Sequence, residues 1–202
     1  MMYAFGDSHI NFYIRNFPLR IENLHSNSVT MHRIGRDTQI INFNPSFNGE
    51  GNIFILCYGE VDCRCHIGKQ VEKGRDKKEV CETLVKNYIN TIKHNIIAYK
   101  KIILCFIPPA INKQEFIRYH GEYTPSHGYP TVGTDEERIE NVRLMNALLK
   151  NECSKNGFEF LDCTEYYSNE NGTIKTEYWD TTCHIQENNE IHNKLYNILL
   201  KE

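Results

Sequence analysis

No stretch of this 202-residue chain approaches the roughly 18 consecutive apolar residues of a membrane span. Positive charge is not in excess either, since 23 Lys and Arg face 26 Asp and Glu, for a formal net charge of -3 with the histidines neutral. Nucleic acid and membranes are therefore not expected as partners, because phosphate binding calls for a basic stripe that this sequence lacks. Its eight cysteines, at 57, 63, 65, 81, 105, 153, 163 and 183, do not have the spacing of a secreted cystine framework. The segment Met1–Ser8 has no basic region leading into a long apolar stretch. A cytoplasmic protein with reduced thiols is expected. With 40% hydrophobic and 11% aromatic residues, collagen-like and disordered classes are excluded and a core of ordinary size is available. One domain over 1–202 is the expectation.

Short apolar runs alternate with longer amphipathic stretches, the pattern of a parallel sheet covered by helices on both faces. Five strands are predicted: 3–5, 29–34 after the polar turn at 23–28, the run Ile53-Phe54-Ile55-Leu56-Cys57-Tyr58, 101–107 closed by Pro108-Pro109, and 158–161. Between the third and fourth, 76–99 places Val80, Leu84, Val85, Tyr88, Ile92 and Ile96 three or four apart, which predicts a long helix with one buried side. Thr134-Asp135-Glu136-Glu137 reads as a capping box opening a second long helix, which Asn156-Gly157 ends. A last helix is predicted over 187–200 on the stripe Ile191, Leu195, Ile198 and Leu199.

The segment 110–133 breaks this rhythm. It gathers Gly121, Gly128, Gly133, Pro125 and Pro130 among Phe116, Tyr119, Tyr123 and Tyr129, and reads as a long ordered loop. Such a loop is either a binding lid or an excursion packed by its own tyrosines.

Four turns hold the candidate chemistry. Gly6-Asp7-Ser8 directly follows the first strand, where a sharp turn would raise the Ser8 hydroxyl above the carboxyl edge of the sheet, the edge at which open α/β sheets bind ligands. Ser8 is thus a candidate nucleophile, the alternative being a turn with an Asx-type bond and a helix N-cap. Near the other end, Trp179-Asp180-Thr181-Thr182-Cys183-His184 supplies an imidazole, His184, to take the Ser8 proton, and a carboxylate, Asp180, to hold its tautomer. The alternative for His184 is a surface or capping residue. Between them lie Ile34-Gly35-Arg36-Asp37 and Gly59-Glu60-Val61-Asp62-Cys63-Arg64, whose backbone amides are candidates for an oxyanion site at the same edge.

Together these turns resemble the SGNH, or GDSL, hydrolase superfamily, from Gly6 to His184. The resemblance implies a flavodoxin-like three-layer α/β/α fold with a five-stranded parallel sheet, and ester cleavage by a Ser–His pair without a cofactor. Residue by residue, Gly6-Asp7-Ser8 looks like the first block with its nucleophile, Gly35 like the second block's oxyanion glycine, and Asp180 with His184 like the last block. Three departures stand out. The third block is usually Gly-x-Asn-Asp, and Gly59-Glu60-Val61-Asp62 has no asparagine to bond the oxyanion. Loss of one such donor typically costs about 10²- to 10³-fold in rate. Arg64 is the candidate replacement in the oxyanion hole, the alternatives being an anion-binding residue or a neutraliser of Glu60 and Asp62. Asp180 and His184 are separated by three residues where the family has two, so either a bulge turns both inward or a backbone carbonyl orients His184. His9 stands where the family often has leucine, and a solvent-exposed place in the first helical turn is favoured over a second active-site imidazole.

Cys63-x-Cys65-His66 invites a metal reading with Cys183-His184, but the pairs lack a two-residue gap and the remaining cysteines lie in apolar segments, so no metal site is expected. The expected function is hydrolysis of an acyl ester, O-acetyl in the first place, on a small or carbohydrate substrate, with Asp7, Glu60, Asp62, Arg64 and Tyr123 as substrate-contacting residues. An O-acyltransferase using the same acyl-enzyme, or a noncatalytic glycan-binding module on the same fold, are the alternatives.

Overall fold

The computed structural model describes residues 1–121 and 130–200. Five strands, β1 (Met2–Gly6), β2 (Glu22–Asn23), β3 (Ile53–Cys57), β4 (Lys101–Cys105) and β5 (Glu159–Leu161), form one sheet in the order β2-β1-β3-β4-β5. Every pairing is parallel, with Met2 opposite Ile53, Ile53 opposite Lys101 and Ile103 opposite Glu159. This order has its switch point between β1 and β3, so the chain leaves the sheet to opposite sides there and opens a crevice at the carboxyl ends.

The central strands β1, β3 and β4 bury both faces, which is why their runs read as continuously apolar. Tyr3, Phe5, Phe54, Leu56, Ile102 and Leu104 face one core, where α2 (Met31–Asp37), α4 (Lys77–Asn95) and α6 (Asp135–Asn156) pack. The alternate positions Ala4, Ile55, Ile103, Cys105 and Leu161 face a second core under α1 (Ile10–Ile14) and α8 (Asn189–Leu200). The three layers follow, as the sequence pattern implies.

The predicted long helices are α4, α6 and α8, and two short helices, α3 (Ile67–Val71) and α7 (Thr164–Tyr167), follow β3 and β5. Asp76 caps α4 by accepting from the Glu79 amide at 2.8 Å. At α6 the capping box is complete, with Thr134 Oγ1 accepting from the Glu137 amide and a Glu137 carboxylate oxygen from the Thr134 amide, and left-handed Gly157 (φ 68°) ends the helix. Part of the segment predicted as a loop is also helical: α5 (Lys113–His120), capped by Asn112, buries Phe116 against Trp179. No described helix is long and apolar enough to cross a membrane.

The second strand is where the reading fails. Residues 29–34 do not form a strand, and most of them open α2 instead. Thr30 is the N-cap, its hydroxyl accepting from the Arg33 amide at 3.0 Å, and Met31 and Ile34, three apart, are the buried positions. The edge strand β2 is two exposed polar residues, Glu22 and Asn23, with no apolar alternation to announce it. Past it, the Leu24 and Ser26 amides still bond to Ala4 and Gly6 carbonyls, so the segment 24–28 runs beside the Gly6–Ser8 turn.

Candidate active site

Gly6 ends β1 where the neighbouring strand leaves no room, because a Cβ there would lie 2.6 Å from the Cys57 carbonyl oxygen. The Asp7 amide donates to that same oxygen, and Asp7 Oδ1 accepts from the His9 amide at 2.9 Å, closing an Asx turn. Ser8 at the tip of this turn has its hydroxyl over the crevice. Its own amide donates to no protein acceptor among the described residues.

The Trp179–His184 loop lies across from it. Ser8 Oγ and His184 Nε2 are 2.9 Å apart, and His184 Nδ1 lies 3.0 Å from Asp180 Oδ2. With Nδ1–H donating to the carboxylate, Nε2 is left to accept the Ser8 proton. The extra residue between Asp180 and His184 is absorbed at Thr181, whose φ of 68° bulges the loop. Asp180 then folds back on its own loop, with Oδ1 accepting from the Thr182 and His184 amides and the carboxylate from the Thr182 hydroxyl. Burial pushes the Asp180 carboxyl up, but the bonds from His184 and Thr182 outweigh it and hold it below the usual carboxylate range. Phe12 stacks against the His184 ring at 5.5 Å. The Cys183 thiol lies 3.5 Å from His184 Nε2, and burial, with Glu60 nearby, pushes its pKa up to about 12.

Contrary to the solvent-exposed position read from the sequence, His9 is buried. Its Nδ1–H donates to Asp7 Oδ1 at 3.0 Å and its Nε2–H to the Cys183 carbonyl at 2.9 Å. Both ring nitrogens face only acceptors, so the imidazole carries both protons. Burial alone would lower its pKa, but the Asp7 carboxylate outweighs burial and raises it to about 9. This cation ties the Ser8 turn to the residue preceding His184, and the two imidazole centroids are 5.2 Å apart. The one local signal for it is Asp7 itself, since an Asx turn bonds its carboxylate to the His9 amide and sets His9 beside it.

Other assignments are corrected. Gly35 is inside α2, where its missing side chain admits Asn87 of α4, and a Cβ would lie 2.7 Å from the Asn87 Cβ. Helix packing, not an oxyanion, explains that glycine. Arg64 is 9% exposed and committed to Glu60 at 2.6 and 3.2 Å and to the Pro130 carbonyl at 2.9 Å, so it and Glu60 form an ion pair rather than an oxyanion donor and a substrate contact. Asp62, inside a π-helical turn over Asp62–His66, accepts from the Met31 and His32 amides at 2.6 and 3.2 Å and thereby anchors the start of α2. Burial pushes its carboxyl up to about 7 even against those two donors. Asp7 is likewise enclosed and occupied by His9. Neither aspartate is available to a substrate. Tyr123 lies outside the described residues.

Ser8 and His184 open onto a groove of about 490 Å3, with Phe12, Ile14 and Ile21 as apolar wall and Asn11, Asn23 and Arg15 as polar rim. Asn11 is fixed there, its amide donating to the Ser8 carbonyl and its side-chain oxygen accepting from Asn23.

No family model matches the sequence, and no curated protein sequence does. Solved structures are similar over almost the whole chain. A Streptococcus pneumonia protein named for platelet activating factor superposes with a TM-score of 0.61 at 16% identity, covering 98% of this chain and 81% of that one. A GDSL-like lipase from Bacteroides thetaiotaomicron gives 0.56 at 10% identity, with 98% and 84% covered. The OSK domain of Drosophila Oskar gives 0.52 at 12% identity, with 97% and 85% covered. The fold is therefore that of the SGNH/GDSL hydrolases, a fold also used by a domain whose name refers to no hydrolase.

Proposed function

We propose that the chain is a serine esterase that removes an O-acetyl group from a carbohydrate or small-molecule carrier through an acyl-enzyme on Ser8. The observation that carries this reading is the continuous Ser8–His184–Asp180 relay, at 2.9 and 3.0 Å, set at the switch point of the sheet. The GDSL-like lipase among the structural neighbours supports the same reaction class.

In this reading Ser8 Oγ attacks the ester carbonyl while His184 Nε2 takes its proton, and Asp180 stabilises the imidazolium that forms. The tetrahedral oxyanion is met by the Ser8 amide, which donates to no acceptor among the described residues, in place of Gly35. Collapse expels the alcohol with the proton from His184, and a water activated by the same imidazole then releases the carboxylic acid. No cofactor takes part in these steps. The open groove, with side-chain amides at its rim and a ring face on its wall, suits a short acyl group on a hydroxylated carrier. An O-acyltransferase would use the same acyl-enzyme with a sugar hydroxyl in place of water.

The test is a fluorophosphonate probe read by intact mass. One adduct is expected on wild type and none on Ser8→Ala or His184→Ala. Folded wild type that takes no adduct, while binding glycans as well as Ser8→Ala does, would replace the esterase by the noncatalytic module.

A further inference from the structure

A second constellation lies on the same edge of the sheet, away from Ser8. His32, in the first turn of α2, and His66, at the end of the π-helical turn after β3, stack ring on ring with centroids 4.3 Å apart and planes 28° from parallel. Their four ring nitrogens have no protein hydrogen-bond partner among the described residues. Beside them is a cavity of about 190 Å3 that also takes in Arg36, Arg75, Thr83 and Asn87 over an apolar floor. Every charged or titratable group lining it is basic. Arg36 is held by Asp37, outside the cavity, whereas the Arg75 side chain reaches, among the described residues, only the Gln70 side-chain oxygen, at 3.5 Å.

Two imidazoles stacked in this way do not repel when both are neutral. Burial lowers both pKa values, that of His66 to about 4, and the further causes are cations: His32 with Arg75, Lys69 and Lys73 for His66, and Arg36 with Arg75 for His32, where Asp37 opposes them. The field in the cavity is thus positive. A metal ion is disfavoured by those cations and by rings that lie face to face instead of converging their nitrogens on one point. An oxyanion would offset that positive field, accept hydrogen bonds from the imidazoles and Arg75, and find further donors in Thr83 and Asn87.

We infer that the His32–His66–Arg75 cavity is a binding site for a phosphate group, either free or as the monoester of a small molecule whose organic part rests on the floor formed by Met31, Val80 and Leu84. The site does not depend on the esterase reading, because no residue of it belongs to the Ser8 relay.

The experiment titrates inorganic phosphate and, separately, phenyl phosphate into the protein at neutral pH while following the imidazole NMR signals of His32 and His66. Saturable shifts of both are expected with a Kd of about 1 mM or tighter. A tighter Kd for phenyl phosphate identifies a monoester, and equal values identify free phosphate. Arg75→Glu, on the surface, is expected to weaken binding by about tenfold or more without changing the melting temperature, and His66→Ala to weaken it as well. Fluorophosphonate labelling of Ser8 is unchanged in both. Shifts that do not saturate, or that saturate equally in wild type and Arg75→Glu, overturn the site, whatever the outcome at Ser8.

Discussion

The molecule contains two aspartate–histidine pairs with the same Nδ1-to-carboxylate distance, 3.0 Å, in opposite surroundings. Asp7 and His9 are each 1% exposed, whereas Asp180 and His184 are 25% and 20% exposed. In the enclosed pair both imidazole nitrogens are spent, one on Asp7 and one on the Cys183 carbonyl, and the ring is a fixed cation that joins two loops. In the open pair Nε2 is left for Ser8, so the ring can take up a proton and give it back. Distance alone does not make a histidine a base; what the second nitrogen faces decides it.

Breaking the open pair should have the largest effect. His184→Ala removes the proton acceptor, and ester hydrolysis or fluorophosphonate labelling is expected to fall by about 10⁴-fold or more with the melting temperature nearly unchanged. Asp180→Asn keeps the shape but favours the wrong imidazole tautomer, and a loss of about 10³-fold is expected from the same assay. A loss of only severalfold would mean that the Thr182 hydroxyl, 3.0 Å from Nδ1, orients the ring on its own.

The enclosed pair should answer in stability. His9→Leu strands a buried Asp7 carboxylate, and urea unfolding is expected to show a cost of about 3–5 kcal/mol, partly recovered when Asp7→Asn is added. The pH dependence has a definite sign. His9 binds its proton more tightly folded, at about 9 against 6.5, so its stabilisation is complete below about pH 6.5 and fades as the pH rises through 9. A shift of that size corresponds to about 3 kcal/mol. Wild type should lose stability over that interval, and the Asp7→Asn/His9→Leu double variant should not. Equal slopes for both proteins would mean that His9 is neutral in the folded state.

How far the sequence discloses these two pairs differs as well. The relay was readable because β1 is an apolar run ending in Gly6-Asp7-Ser8 and because Asp180 and His184 sit just before an amphipathic helix. The sheet was readable wherever a strand is central and buried on both faces. Edge strand β2 is not, since two exposed polar residues carry no periodicity, and in 29–34 the apolar Val29, Met31 and Ile34 are too few to separate a period of 2 from one of 3.6. With Met31–Asp37 helical, Gly35 falls at a helix–helix contact and not in a turn at the sheet edge. The burial of His9, and the occupation of Asp62 by the start of α2, depend on segments brought together from 31 to 174 positions apart, which local pattern does not report.

The finest distinction between the pairs rests on Thr182. In the open pair its amide and hydroxyl both donate to Asp180, at 2.8 and 2.7 Å; among the described residues Asp7 accepts from the His9 amide but from no hydroxyl, and its Oδ2 is buried without a partner. Thr182→Val keeps the amide bond and the side-chain shape and removes only the hydroxyl. If the hydroxyl serves to hold the carboxylate toward His184 Nδ1, labelling of Ser8 should slow by about tenfold, the scale of one lost outer hydrogen bond to a charged group. Because Asp180 is half-buried and retains the His184 and Thr182 amides, unfolding should change by no more than about 1 kcal/mol. A rate equal to wild type would show that the loop bulge at Thr181 positions Asp180 by itself, making the open pair as self-sufficient as the enclosed one.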